Sequence, residues 1–239
     1  MLIDDILAHA NEDYPNEACG LVVAQGKRHR VIRARNLAHE PGLTFDLDPG
    51  AWLEVRPGET VVGIYHSHPS GDPEPSLCDL SGCEASGLPW HIVGCQTGAY
   101  RMVEPRGFRA PYVGRPYVYG AHDCWTLARD WYQWEWGLKL PDFRREPRFW
   151  LKGQSMFVDN LGVCGFVNLV DEEPLPGDAF LVQVASPVPN HVAVWLGDGT
   201  ILHHVQGRLS TRDPWGGYWQ KHASHHIRHN SKMGTKKNG

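Results

Sequence analysis

A segment rich in proline, glycine and arginine, at residues 103–111, divides this chain of 239 residues into two parts. It has no hydrophobic period, and stretches of this kind mark boundaries between domains. Because the chain exceeds one average domain of about 100 to 150 residues, two domains with separate cores are expected. We predict a first domain over residues 1–105, a linker over 106–111, a second domain over 112–225 and a disordered polar tail over 226–239.

The charge and the hydropathy of the chain exclude several classes of function. The net charge is only −4 and charged residues make up 21%, so no strong field is available to hold nucleic acid. No apolar run approaches the roughly 20 residues that a membrane span needs, and the acidic start, Met1–Asp5, differs from the basic start of a signal peptide. The six cysteines match neither zinc-ribbon nor redox-pair spacings. We expect a soluble protein made in the cytoplasm, with reduced thiols, no membrane span and no nucleic-acid partner.

Two histidines at the end of an apolar segment predict a metal site in the first part. The run Val61–Tyr65 is rich in β-branched residues and predicts a strand. Side chains two apart on a strand share a face, so His66 and His68 point the same way. Asp79 follows a turn rich in proline and can return as an oxygen ligand. Three protein ligands would leave one zinc position open for a water, which zinc acidifies towards neutrality.

Glu17 and Ser76 stand where a zinc hydrolase needs a base and a hydrogen-bond donor. Glu17 lies just before the apolar strand that includes Leu21–Ala24, where a carboxylate could serve as general base. Ser76 can cap a helix that carries Asp79, and its hydroxyl could support a developing oxyanion. Each residue taken alone also fits an ordinary solvated role, and 14 histidines make chance pairs common.

The JAMM/MPN zinc metallopeptidases combine a distant Glu with His-x-His, seven residues, Ser, two residues and Asp. This chain resembles them at every element of that motif, through Glu17, His66, His68, Ser76 and Asp79. Over residues 1–105, the resemblance implies an α/β fold with a central sheet flanked by helices. It also implies Zn²⁺ held by the two histidines and the aspartate, with the glutamate holding the catalytic water. The serine would support the tetrahedral intermediate.

A cysteine at a predicted helix start is the candidate nucleophile of the second part. From Trp125 onward, apolar residues recur at helical spacing, while Gly120–Asp123 has turn character. Cys124 is therefore expected in the first turn of the helix, where the dipole and free N–H groups stabilise a thiolate. A free cysteine is more often a small buried residue, and that interpretation also stays open.

Two histidines follow on a predicted β-hairpin. Asn190–Gly197 alternates like a strand and closes at a Gly-Asp-Gly turn, and Thr200–Val205 returns beside it. His191 and His203 would lie side by side across the pair, so one imidazole can act as base towards the thiol while the other orients it. His204 is expected to point to the other face of the strand as a bystander.

The second part resembles the NlpC/P60 peptidases, papain-like cysteine hydrolases that in many members cut the peptide stems of bacterial cell wall. The shared features are a Pro-Tyr-x-Tyr-Gly run ending in Asp-Cys, a Pro-Gly-Asp before a strand, and two histidines twelve residues apart. The resemblance implies an N-terminal helix and an antiparallel sheet. It implies Cys124 as nucleophile, His191 as base, His203 as orienting group and Tyr117 as an aid to the oxyanion site. The chain departs from the family where Trp125-Thr126 replaces the common Ser-Gly, which bears on substrate choice.

A JAMM-like domain followed by an NlpC/P60-like domain resembles the tail tip assembly protein K family of lambda-like phages. This pairing implies a two-site peptidase with phage tail tip proteins as partners. The zinc site would act on a protein or peptide bond, and the thiol site on cell-wall peptide. The protein would work in the host cytoplasm during assembly or in the virion tail tip. The residues leave open a bacterial peptidoglycan or protein-processing hydrolase outside a phage, or a structural tail component whose sites are relics.

Overall fold

The structure is a computed structural model and describes residues 2–233. The chain folds into two compact units, with the boundary between Ala110 and Pro111. Over the described residues, none of the helices combines the length and the apolar character that crossing a membrane requires.

The first unit is built around one five-stranded sheet. Its elements in chain order are α1 (Leu2–Asp13), β1 (Cys19–Gln25), β2 (Arg28–Ala34), a 3₁₀ helix (Pro49–Glu54), β3 (Thr60–His68), α2 (Leu77–Ser86), β4 (Trp90–Gly94) and β5 (Tyr100–Val103). The strand order is β2-β1-β3-β4-β5. β3 and β4 are parallel, and the other neighbouring strands are antiparallel.

Both faces of this sheet are covered, because β1 sends apolar side chains alternately to two cores. Leu21 and Val23 pack in one core together with Cys83 of α2. Val22 packs in the other core with Ile6 of α1. The period of two along β1 therefore explains the layered arrangement, and the predicted central sheet flanked by helices is confirmed.

The second unit contains a six-stranded antiparallel sheet. Its elements in chain order are α3 (Cys124–Trp136), a 3₁₀ helix (Phe149–Lys152), α4 (Met156–Asp159), β6 (Phe166–Leu169), β7 (Ala179–Val182), β8 (His191–Trp195), β9 (Thr200–His203), β10 (Thr211–Pro214), α5 (Gly217–His222), β11 (Ala223–His229) and a 3₁₀ helix (Asn230–Lys232). The strand order is β10-β9-β8-β7-β11-β6. Every neighbouring pair is antiparallel, as predicted.

The helix α3 packs on the middle of this sheet through its apolar face. Leu127 and Trp131 share a core with Val192 and Val194 of β8 and with Leu202 of β9. Because successive turns of the helix contact these strands, the first residue of α3 lies close to the start of β8. The packing thus places a thiol and a histidine from distant parts of the chain in one region.

The predicted disordered tail over 226–239 is wrong for the part that the structure describes. β11 lies between β7 and β6 and pairs with both of them. Ile227 is buried in the core, and Arg228 binds the buried carboxylate of Asp178. The polar composition of this segment concealed a strand whose backbone groups are satisfied on both sides. Residues 234–239 lie outside the described part of the chain.

Two further expectations from the sequence fail in the first unit, because residues 44–47 alternate like a strand and the apolar residues 90–95 predict the last strand of the domain. The segment 44–47 is not a strand and contributes only an isolated bridge between Asn36 and Leu47. β4 is not the last strand, because β5 pairs with its free edge. Tyr100 and Met102 of β5 are exposed, so this edge strand lacks the alternating burial by which a strand is recognised in sequence.

Candidate metal centre and candidate thiol site

His66 and His68 come together at the end of β3. Their Nε2 atoms lie 3.0 Å apart. The His66 ring is fully buried, with the Phe45 ring stacked on it at 4.7 Å and the Trp90 ring edge-on at 5.4 Å. These aromatic contacts lock the orientation of one imidazole, while His68 keeps partial access to solvent.

Asp79 reaches the two imidazoles from the first turn of α2. Its Oδ1 lies 3.2 Å from His66 Nε2, and its Oδ2 lies 3.4 Å from His68 Nε2. Ser76 is the N-cap of this helix: its backbone N–H donates to Asp79 Oδ2 at 2.6 Å, and its Oγ accepts from the Asp79 N–H at 3.1 Å. This reciprocal capping box fixes the carboxylate, so the cap that the sequence predicted also aims the third donor.

Backbone contacts hold the segment with Glu17 against the end of β3. The Ala18 N–H donates to Ser67 Oγ at 2.9 Å, and the side-chain amide of Asn36 donates to the Glu17 carbonyl oxygen at 3.0 Å. Glu17 is only 6% exposed. Burial raises the pKa of its carboxyl to about 8, with the charge of His68 opposing this shift and that of Asp79 adding to it.

Electrostatics favour a negatively charged Asp79 beside the two imidazoles. Burial opposes ionisation of Asp79, but hydrogen bonding to His66 and His68 holds the pKa of its carboxyl below the ordinary value. Burial lowers the pKa of His66 in spite of the opposing carboxylate. Burial also acts against a charged His68, yet the same carboxylate leaves the pKa of His68 raised. The Asp79 carboxylate and the imidazole nitrogens thus place negative charge and lone pairs together in a buried site.

These donors fit a zinc ion. One ligand atom from each of His66, His68 and Asp79 lies within 4.8 Å of the others. His68 Nδ1 lies 2.8 Å from the carbonyl oxygen of Asp72, which can only accept, so Nδ1 carries the proton and Nε2 the lone pair. His66 Nδ1 is buried without a hydrogen-bond partner among the described residues. Two imidazoles and a carboxylate match the donor set of a catalytic zinc site.

Cys124 is the first residue of α3, as the sequence predicted. The carboxylate of the N-cap, Asp123, accepts from the N–H groups of Trp125 and Thr126, each at 3.0 Å. Arg145 Nε donates to the other oxygen of this carboxylate at 2.7 Å. The N–H groups near the helix start lower the pKa of the thiol, as expected, but they do not set its net direction. Burial raises the pKa of Cys124 to about 12, and Asp123 adds to the rise, which outweighs the backbone N–H groups.

Four side chains that matter for thiol chemistry line one cavity of about 200 Å³ at the start of α3. They are Tyr117, Cys124, His191 and His204. Burial lowers the pKa of His191 well below its ordinary value, so this imidazole is neutral and able to accept a proton. Burial raises the pKa of the Tyr117 hydroxyl, which therefore stays protonated as a donor. The cavity thus combines a neutral thiol, a neutral base and a hydroxyl donor.

His203 and a carboxylate stand behind His191. His191 Nε2 lies 3.1 Å from His203 Nδ1, and His203 Nε2 lies 3.1 Å from Asp213 Oδ2. The Trp219 ring lies edge-on to the His203 ring at 4.3 Å, and its Nε1 donates to Asp213 Oδ2 at 3.3 Å. The predicted neighbouring positions of the two histidines are therefore found in the structure.

The expectation that His204 points away from the face of His203 agrees with the cavity lining, which includes His204 and not His203. The expectation that His204 is a bystander does not fit its position, because this cavity is the one that Cys124 lines. The His204 ring lines the cavity, edge-on to the Tyr117 ring at 5.0 Å. It is 1% exposed, and neither ring nitrogen has a hydrogen-bond partner among the described residues.

Sequence reasoning missed Asp213, Trp219 and Arg145. Asp213 lies on the short strand β10, where Pro214 weakens a strand prediction. Arg145 lies in a segment without regular secondary structure. No spacing rule connects these residues to the thiol, because the register of β10 on β9 and the course of a loop bring them there.

Comparison with known proteins identifies a family for each part of the chain. Residues 1–107 match the Prok-JAB family, prokaryotic homologs of the JAB domain, and residues 114–228 match the NlpC/P60 family. Tail tip assembly protein K of Escherichia phage N15 is 37% identical over 235 residues, covering 98% of this chain and 96% of that protein. The protein of the same name from Escherichia phage lambda is 36% identical over 185 residues, covering 77% of this chain and 89% of that protein.

A shorter similarity is found with a desampylase from Haloferax volcanii. It is 38% identical over 88 residues, which cover 32% of this chain and 63% of that protein. The matches to the two phage proteins extend over most of each chain and include both domains in the predicted order. The chain therefore belongs to the tail tip assembly protein K family, with a JAB domain followed by an NlpC/P60 domain.

Proposed function

We propose that the chain is a two-site peptidase of tail tip assembly, with a zinc-dependent JAMM-type peptidase in the first unit and a cysteine endopeptidase in the second. The observation that carries the first activity is the convergence of His66, His68 and Asp79 within 4.8 Å of one another. The observation that supports the second is the cavity shared by Cys124 and His191.

In the first unit, His66, His68 and Asp79 would hold Zn²⁺. When bound, the ion supplies a Lewis acid that lowers the pKa of a coordinated water. Glu17 would take a proton from the attacking water at its carboxylate and return it to the leaving nitrogen. Burial raises the pKa of this carboxyl and a bound zinc ion would lower it, so both directions of transfer are open to Glu17. The Ser76 hydroxyl accepts from the Asp79 N–H and keeps its own proton to donate to a developing oxyanion.

In the second unit, Cys124 would attack a peptide carbonyl as its proton moves to His191. Both groups are buried and neutral, so the proton passes directly between them rather than from a preformed ion pair. His203 would orient the base from behind, and the Tyr117 hydroxyl would donate to the oxyanion. His191 then gives the proton to the leaving amine.

The two phage relatives support a role in building a phage tail tip, with other tail tip proteins as partners. A similarity to a probable TtuB-protein conjugate cleaving protease of Thermus thermophilus, 33% identical over 111 residues, favours a protein conjugate or peptide bond as the substrate of the first site. Cell-wall peptide is the proposed substrate of the second site, by membership of the NlpC/P60 family. The protein would act in the host cytoplasm during assembly or in the virion tail tip.

Complementation of a tail-assembly-defective phage by single-site variants tests this function. His68→Ala and Cys124→Ala should each reduce plaque formation, while the exposed His29→Ala and the buried Cys164→Ala serve as matched controls. If both site variants complement as well as the unsubstituted chain, the sites are relics in a structural component and the proposed function is wrong. If only one of the two variants fails to complement, the activity of the other site is not needed and is withdrawn from the proposal.

A further inference from the structure

The carboxylate of Asp213 occupies a defined place behind the two histidines of the thiol site. β10 pairs with β9 so that Thr211 lies opposite His203 and Asp213 lies opposite Ile201. Asp213 is two residues from Thr211 and therefore shares its face with His203. Trp219 donates to Asp213 Oδ2 and covers the His203 ring, so the carboxylate has a fixed position.

We propose that Asp213 is a positioning residue that sets the proton arrangement of His203 and, through it, of His191. His203 Nε2 lies 3.1 Å from Asp213 Oδ2 without the angle of a hydrogen bond, so the contact is electrostatic. A lone pair on this nitrogen would face the negative charge of the carboxylate, so the proton is favoured on Nε2. His203 Nδ1 then holds a lone pair and accepts from His191 Nε2 at 3.1 Å. His191 is left with its lone pair on Nδ1, the nitrogen available to the thiol.

The same carboxylate offsets the cost of a buried positive charge. When His191 takes the proton of Cys124, an imidazolium forms beside His203, inside the protein. His203 is 1% exposed and faces His191, Asp213 and, at longer range, Arg208. His191 faces His203 and His204, which both disfavour its charged form. Asp213 is the acidic group on the side of His203 away from His191. Its side chain is 32% exposed, so solvent weakens its stabilisation of the positive charge without abolishing it.

This inference rests on the proposed cysteine chemistry, and the test reads the thiol rather than a substrate. The rate of Cys124 alkylation by iodoacetamide is measured from pH 5 to 9 in the full chain, with the modified peptide resolved by mass spectrometry. Asp213→Asn keeps the shape of the side chain and removes its charge. Asp213→Glu keeps the charge, and Asp198→Asn makes the same substitution at an exposed aspartate on the neighbouring β8–β9 turn.

Asp213→Asn should slow alkylation at pH 7 by about tenfold, which is the effect of lowering the pKa of His191 by one unit. The acid limb of the pH profile should move to lower pH, because an imidazole without the carboxylate is harder to protonate. Asp213→Glu should restore part of the rate, and Asp198→Asn should leave both features unchanged. A purely structural role would alter the melting temperature but not the acid limb. An unchanged profile in a folded Asp213→Asn chain overturns the inference.

A measurement on the unsubstituted chain covers the case in which Asp213→Asn does not fold. Nitrogen chemical shifts of ¹⁵N-labelled histidine, assigned to His203 by its loss in His203→Asn, report which ring nitrogen carries the proton. The proton is expected on Nε2, and a proton on Nδ1 would contradict the inference. Failure of the proposed function is a separate result: peptide cleavage that persists in Cys124→Ala would refute the cysteine chemistry and leave the His203 assignment standing.

Discussion

In the first unit, the carboxylate of Asp79 lies 3.2 Å from His66 Nε2 and 3.4 Å from His68 Nε2. In the second unit, His191 faces another imidazole, that of His203, at 3.1 Å. Burial lowers the pKa of both His66 and His191. A carboxylate lies beside the first of these histidines, whereas the carboxylate of the second site is one imidazole further away. One site therefore gathers donors that a cation completes, and the other holds neutral groups that exchange a proton.

Because of this difference, the two units should respond to different treatments. A metal chelator should silence the first site and leave the second unaffected, since within the described residues the potential ligand atoms that converge within 4.8 Å are those of His66, His68 and Asp79. Replacement of the thiol should act only on the second site. In each experiment, the activity of the unit without the substitution therefore serves as the internal control.

The largest expected effect is that of Cys124→Ala on cleavage of muropeptides with a γ-D-Glu to diamino-acid bond. Loss of the nucleophile should reduce the rate by a factor on the order of 10³ or more. Chromatography of the digested muropeptides measures it, and Cys164→Ala controls for the loss of a buried thiol. Cleavage that survives in Cys124→Ala would mean that the nucleophile is misidentified.

The next effect is on zinc binding by the first unit. The full chain should bind about one zinc, since three protein ligands and a water complete the ion, and His68→Ala should abolish this stoichiometric binding. Metal analysis after dialysis measures it, with His29→Ala as the control. The histidines at positions 222, 225, 226 and 229 could also bind metal, but they cannot be removed by truncation because β11 is part of the sheet. Retained stoichiometric zinc in His68→Ala would contradict the ligand assignment.

Local sequence was sufficient for the metal centre. His66 and His68 lie on one strand and Asp79 in the first turn of the next helix, so the strand period and a helix cap determine their geometry. Glu17 was reached through its motif offset and lies two residues before β1, which pairs with β3. Short-range rules therefore predicted the three donors, and the pairing of β1 with β3 brings Glu17 beside them.

The thiol site was predicted only where secondary structure dictates it. The helix start at Cys124 and the hairpin of His191 and His203 follow from local patterns. Asp213 depends on the register of a short edge strand, and the raised pKa of Cys124 depends on burial by residues from several elements. Dipole arguments from sequence give one contribution to the pKa of a thiol and omit desolvation, which dominates here.

A smaller effect separates the role of the base from that of the helix dipole. In His191→Ala, the Cys124 thiolate can form only by losing its proton to solvent, and burial keeps the pKa of the thiol above its ordinary value. Because pH 6 to 9 lies below that pKa, the alkylation rate should rise roughly tenfold per pH unit. The unsubstituted chain should show a flatter profile over this range, since its thiol can pass the proton to His191. Equal slopes would show that His191 does not take the proton.

The smallest expected effect compares two helices that begin with serine. Ser76 caps α2 with a side-chain hydrogen bond, whereas Ser155 before α4 makes none. Ser76→Ala should therefore cost about 1 kcal/mol of local stability and speed hydrogen exchange of the α2 amides by about fivefold. Ser155→Ala should change exchange in α4 by less than about twofold. The backbone of Ser76 still donates to Asp79 in the alanine variant. Unchanged exchange in α2 would therefore show that Asp79 alone anchors the helix start, and that the serine hydroxyl is free for chemistry.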